Sequence, residues 1–248
     1  MPELFYSPLF CFLAVIGVIM TGISKSGFAG GAGVVAVPLL ALVMPLPQAA
    51  ALMLPVLIFM DIKIIREYRA HVNYKEVFKI LPAAILGIVL AGFMMGSFSD
   101  EALMILLAVI SIVFSAWKSL LPILGNMPGA AWLWGAISGI TSTLIHAGGP
   151  PINLYFMARQ LPKMSWLATV AVFFGVLNIV KIVPYFFLGQ WQQDVLISSA
   201  ILLPFAWLGV KLGKDIQHNL SEEKFMLVCR VLLFGSGVML LIKAFLNL

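Results

Sequence analysis

The chain has 248 residues, of which 62% are apolar and only 10% charged, and its mean hydropathy is +1.08. That leaves too little polar surface to clothe a water-soluble globule, so a soluble domain is excluded. The net charge of +5 would suit nucleic acid, but in a polytopic membrane protein basic side chains mark loop orientation, and neither a nucleic-acid nor a nucleotide partner is expected.

In chain order, cutting at charges, prolines and glycines predicts apolar segments near residues 8–24, 28–44, 48–66, 77–97 and 102–120. A second set follows near 130–145, 147–158, 165–187, 195–213 and 224–246. Most are long enough, at about 1.5 Å per residue, to cross a hydrocarbon core of about 30 Å. The expected fold is an all-α polytopic membrane protein, one membrane domain over 1–248. The first run, Leu9 to Met20, follows Glu3 and lacks a basic flank and a small-residue cleavage site, so it reads as retained structure and not a signal peptide. Cys11 and Cys229 lie in apolar stretches without metal or redox spacing, so no disulfide, metal or cofactor is expected.

The two sets match as a tandem repeat, about 8–120 and about 130–246. Ala29-Gly30-Gly31 falls on Ala147-Gly148-Gly149, and Lys63 on Lys181, at an offset of 118. Leu86-Gly87 falls on Leu208-Gly209, and Phe98-Ser99-Asp100-Glu101 on Leu220-Ser221-Glu222-Glu223, at an offset of 122. Charge then orients the halves. The linker Lys63 to Lys79 carries five basic residues, and its repeat partner Phe187 to Asp194 carries none. Conversely the loop Gly96 to Glu101 has none, while its partner Lys211 to Lys224 has three. An inverted repeat with both termini outside puts twelve of the fifteen basic residues on the cytoplasmic side. Segments 28–44 and 147–158 are short and broken by Gly or Pro, so each is either a full crossing or the return arm of a re-entrant hairpin.

A matched pair of broken segments in inverted halves points to a transporter's binding site. Here the pair is Gly27 to Gly33, containing Gly30 and Gly31 with Pro38 behind, and His146-Ala147-Gly148-Gly149-Pro150-Pro151. Glycines let the backbone break, proline suits a helix's first turn, and freed N–H groups at a helix start favour an anion. The alternative is that these glycines only permit tight packing. Lys181, inside an apolar run, is the most informative side chain: it either faces the site or snorkels to an interface. Asn178 lies one turn earlier on the same face and could hold an oxyanion beside the ammonium. Asp61 is either a proton or cation site or a partner for Arg66 or Lys63. Lys25 is either an anion recruiter or a hairpin-tip lysine at the cytoplasmic surface, and His146 either a proton relay or an interhelical histidine. Asn153, Tyr155 and Thr169 complete the candidates, with interhelical hydrogen bonding as their alternative role.

The first glycine motif with Pro38, the stretch Asp61 to His71 with Tyr68-Arg69, the run His146 to Tyr155, and Phe173 to Lys181 with Pro184-Tyr185 resemble the TauE/SafE-type sulfite exporter family of membrane permeases. The resemblance implies transport of small sulfur-containing anions such as sulfite, sulfonates or sulfoacetate. The chain departs from many relatives in reading Gly-Gly-Ala-Gly where they have three consecutive glycines, and in carrying Pro150-Pro151. The expectation is a non-enzymatic secondary transporter for a small anion in a bacterial inner membrane, alternating access about a midplane site between the repeats, with coupling to protons or ions through Asp61 and His146. Ser24-Lys25-Ser26-Gly27 lacks the upstream glycine of a phosphate-binding loop. The competing readings are an intramembrane hydrolase using Ser26 or Ser236 with His146, and an anion channel.

Overall fold

A computed structural model describes residues 7–29, 36–40, 43–94, 99–116, 123, 125–187, 189 and 191–246, and among these every regular element is helical. Helix α1 spans Pro8–Gly27, opened by Pro8 and by the Ser7 hydroxyl, which accepts from the Phe10 N–H at 3.3 Å. A short α2, Ala36–Leu40, precedes α3, Leu46–Tyr68, with Pro47 in its first turn. A single 3-10 turn, Arg69–His71, leads to α4, Tyr74–Met94, where Asn73 caps by accepting from the Glu76 N–H at 3.2 Å. Helix α5 is Asp100–Ala116 and α6 is Ala130–Ile145. Then come α7 (Gly149–Ala158), α8 (Lys163–Phe187), α9 (Gln193–His218) and α10 (Glu222–Leu246).

Five of the described helices are long and apolar enough to cross a membrane: α1, α3, α4, α8 and α9. Their outer faces are apolar too, with Phe93 83% and Phe187 80% exposed, which suits contact with lipid chains and not with water. Helix α7 is different. At ten residues it is about 15 Å long, half the thickness of a bilayer core, and every residue in it is buried. Segment 147–158 is therefore a half-length helix inside the protein, which decides that segment against a full helical crossing. Of segment 28–44, Gly30 and Gly31 lie outside the described residues.

Two tight seams hold the bundle. Helix α1 packs on α9 where Gly22 meets Gly209: a Cβ on Gly22 would stand 2.9 Å from the Gly209 backbone. Helix α4 packs on α6 in the same manner, a Cβ on Gly139 running into the Ala84 carbonyl and one on Gly87 into that of Ala136. Small residues here let backbones touch, which is how helices associate where lipid competes for every larger apolar side chain. Between the seams α3 packs against α8, and the two run in opposite directions: Asp61 meets Asn178, while Asn73, just beyond α3, meets Thr169. Helix α3 also packs on α9, α4 on α8, and α5 on α10.

Candidate functional site

The crossing of α3 and α8, closed by the ends of α1 and α6, gathers the buried polar groups. On the last turn of α1, Lys25 points inward and its Nζ lies 2.7 Å from Asp61 Oδ1 on α3. Asn178 Nδ2 donates to the other oxygen of that carboxylate at 2.6 Å. One turn on along α8, Lys181 is fully buried and donates to Ser142, to the carbonyl at 3.2 Å and the hydroxyl at 3.0 Å. His146 Nδ1 lies 3.5 Å from the same ammonium. His146 sits just past the end of α6 in the left-handed region, φ 53°, where the chain turns into α7.

The hydrogen bonds assign the histidine tautomer. Tyr185 OH donates to the Thr143 carbonyl at 3.1 Å, so it accepts from His146 Nε2, 3.0 Å away. Nδ1 then faces Lys181 with its lone pair, and the imidazole is neutral. Asp61 is balanced by Lys25, whereas Lys181 touches only neutral groups, and among the described residues no carboxylate lies within 4 Å of its Nζ. With Lys181 protonated, the cluster carries one positive charge beyond its carboxylate, where an ionised group costs about 2.5–3.5 kcal/mol to insert.

A cavity of about 40 Å³ opens among these groups, lined by Thr21, Lys25, Ser142, His146, Gly149, Asn178 and Lys181 with Leu57 and Phe174 as apolar walls. Phe174 also lies under Lys25, 5.2 Å from Nζ to the ring centre. The Thr21 hydroxyl is fully buried and lacks a hydrogen-bond partner. Such a group costs free energy unless something binds it. The α7 helix start faces the cavity through Gly149. Pro150 and Pro151 carry no N–H and the Ile152 N–H is spent on the Gly148 carbonyl at 3.4 Å, so this turn offers one backbone donor, fewer than a glycine-opened helix start suggests.

Lys25, Asn178, Lys181, His146 and Gly149 are thus brought together, with Asp61 directly behind Lys25 and Asn178. Asp61 pairs with neither Arg66 nor Lys63, its sequence neighbours: Lys63 lines the cleft toward α9, and the carboxylate's cation comes from α1. Lys25 is not a surface lysine, its side chain being only 8% exposed. Gly148 accepts from Ser138 Oγ at 2.8 Å, and Pro150 is buried in the first turn of α7. Asn153, further along α7, keeps a buried Oδ1 without a partner. Tyr155 and Thr169 lie away from the cavity. Tyr155 OH donates to Glu76 Oε2 at 2.5 Å, in a cluster where Lys79 and Arg159 approach the same carboxylate. Thr169 accepts from the Asn73 N–H at 3.0 Å and tethers α8 to the start of α4. Thr21 and Ser142 are the site groups absent from the sequence motifs, and Tyr185 entered them only beside Pro184, with no role assigned.

Ser26, the candidate nucleophile, donates to the carbonyls of Gly22 (2.9 Å) and Val210 (2.8 Å), and both nitrogens of His146 are engaged elsewhere. The Ser236 side chain lies outside the described residues. No Ser–His pair of a hydrolase forms among the described groups.

Among the described residues an all-helical bundle, five of its helices long and apolar enough to cross a membrane, encloses a cluster of buried charged and polar groups, as an integral membrane protein would. The family model for "Sulfite exporter TauE/SafE" matches residues 13–240, nearly the whole chain, and the chain belongs to that family. Members of the family are membrane transporters of sulfite and related sulfur anions. No curated protein and no solved structure matches the chain.

Proposed function

We propose that this protein is a secondary transporter whose cargo, a small sulfur-containing oxyanion of sulfite, sulfonate or sulfoacetate type, occupies the cavity between Lys25, Asn178, Lys181 and the start of α7. The observation that carries the reading is Lys181: a fully buried ammonium, held by neutral groups, facing a cavity together with an unsatisfied threonine hydroxyl. At about 40 Å³ the cavity takes little more than water, for which roughly 10–15 Å³ per molecule is needed on this measure, so the walls move apart to admit cargo. That is the behaviour of an alternating-access carrier and not of an open channel.

An inverted repeat is supported by two facts. The repeat partners α3 and α8 run antiparallel across the site, and the helix pairings survive exchange of the halves: α1–α9 becomes α6–α4, and α3–α9 becomes α8–α4. The charge pattern favours the Lys63–Lys79 linker on the cytoplasmic side of a bacterial inner membrane, with both termini outside. Coupling runs through Asp61. An anion that draws Lys25 away leaves the buried carboxylate without its cation, and taking up a proton sheds that charge. Anion and proton then bind together, with the neutral His146 as the adjoining relay.

The test is uptake of radiolabelled sulfite and of a small sulfonate into liposomes holding the purified protein, with and without a pH gradient. Saturable uptake that falls at least about thirtyfold in Lys181→Met, with thermal unfolding in detergent checked to be unimpaired, is the expected result, the loss of one buried charge–anion contact being worth about 2–5 kcal/mol. Equal uptake by the variant removes Lys181 from the pathway, and no uptake of either anion removes the substrate class.

A further inference from the structure

We propose a second anion site, separate from the central cavity, in the cleft between the C-terminal turns of α3 and α9. It takes a phosphate-class oxyanion, presented by an anionic lipid headgroup or as the free ion. The cleft, about 180 Å³, is lined by Lys63, Glu67 and Tyr68 from α3 and by Trp207, Lys211 and Lys214 from α9. Three ammonium groups thus face one carboxylate. Glu67 is spent on Lys214, with Nζ 2.5 Å from Oε1. Lys63 and Lys211 have only aromatic faces beneath them, Phe59 and Trp207, each 5.5 Å from Nζ to ring centre. Among the described residues no carboxylate lies within 4 Å of either. Asp215, on the next residue of α9, is near enough to act on Tyr68 at longer range, and the cleft stays net positive with it included.

The independent pointer to a ligand is Tyr68. It is only 3% exposed, lines the cleft, and its hydroxyl has no hydrogen-bond partner. A buried phenol without an acceptor leaves a donor waiting for one, and an oxyanion between Lys63 and Lys211 supplies it. Depth agrees. Lys63 lies five residues before the end of α3 and Lys211 seven before the end of α9, about 7–11 Å in from the helix ends, with Tyr68 at the end of α3 and Trp207 one turn deeper than Lys211. Lysines within about 11 Å of a helix end, over a half-exposed indole, suit the headgroup zone of a bilayer.

The experiment is thermal unfolding of the full chain in phosphatidylcholine nanodiscs, titrated in one arm with phosphatidylglycerol and in the other with inorganic phosphate. The wild type is expected to be stabilised in at least one arm, the arm naming the source. Lys63→Gln/Lys211→Gln is expected to weaken apparent binding about tenfold or more, and Tyr68→Phe, which removes one hydroxyl, about three- to tenfold. Lys181→Met should keep the full effect, which separates this site from the transport site. The proposal is overturned if neither ligand stabilises the wild type, if both cleft variants respond as the wild type does, or if the effect vanishes with Lys181→Met.

Discussion

Asp61 and Lys25 form the one buried carboxylate–ammonium contact in the described core, and each is costly without the other. Asp61→Asn keeps the shape and the Asn178 contact while removing the proton acceptor. Its expected outcome is anion exchange across liposomes that persists at zero pH gradient, with accumulation driven by a pH gradient abolished; accumulation that still follows the gradient would take coupling away from Asp61. Tyr185→Phe deletes the acceptor that holds His146 Nε2–H, and the donor to the Thr143 carbonyl, and should lower uptake several-fold by freeing the imidazole. Much of this site is legible in the sequence, because a lysine inside an apolar run and a glycine break beside a histidine are conspicuous against a hydrocarbon background. The Lys25–Asp61 pairing is not, since 36 residues separate the partners and nearer cations compete for the assignment. Thr21 and Ser142 are hidden for another reason: in a membrane helix a hydroxyl that bonds its own backbone and one that awaits a ligand have the same spelling.

Helices are easier to read than their neighbours. The apolar runs locate α1, α3, α4, α8 and α9 to within about five residues, because burial in lipid demands an unbroken apolar stretch and the caps end it. Pairing is not encoded that way: Leu86-Gly87 and Leu208-Gly209 announce equivalent positions in two halves, yet nothing local says that Gly87 meets α6 and Gly209 meets α1. Gly139→Ala, whose new methyl would press on the Ala84 carbonyl, should destabilise the protein by about 1–3 kcal/mol as an overpacked contact. Gly235→Ala on α10, with nothing within 4 Å of the added carbon, should be neutral. Thermal unfolding of both in the same detergent checks the pair, and equal losses would mean that backbone proximity is not what the α4–α6 glycines provide.

At the scale of the molecule, each seam joins a helix of the first half of the chain to one of the second. Helix α1 packs on α9 and α4 on α6, so the proposed carrier mechanism would part α1–α3–α9 from α6–α8–α4 along the α3–α8 contact beside the candidate site. Bridging Ile65→Cys to Gly175→Cys across that contact, in a chain without Cys11 and Cys229, should arrest transport reversibly, and a reductant should restore it. Undiminished uptake with the bridge closed would show that these two helices do not separate. The seams also govern how the protein is made. The Ser26 hydroxyl finds Val210, its partner across the first seam, only after 184 further residues have left the ribosome, and α4, made first, must wait in the bilayer for α6. Neither half can finish folding as a domain before the other arrives, so separately expressed fragments 1–120 and 125–248 should each be degraded yet rescue one another when made together.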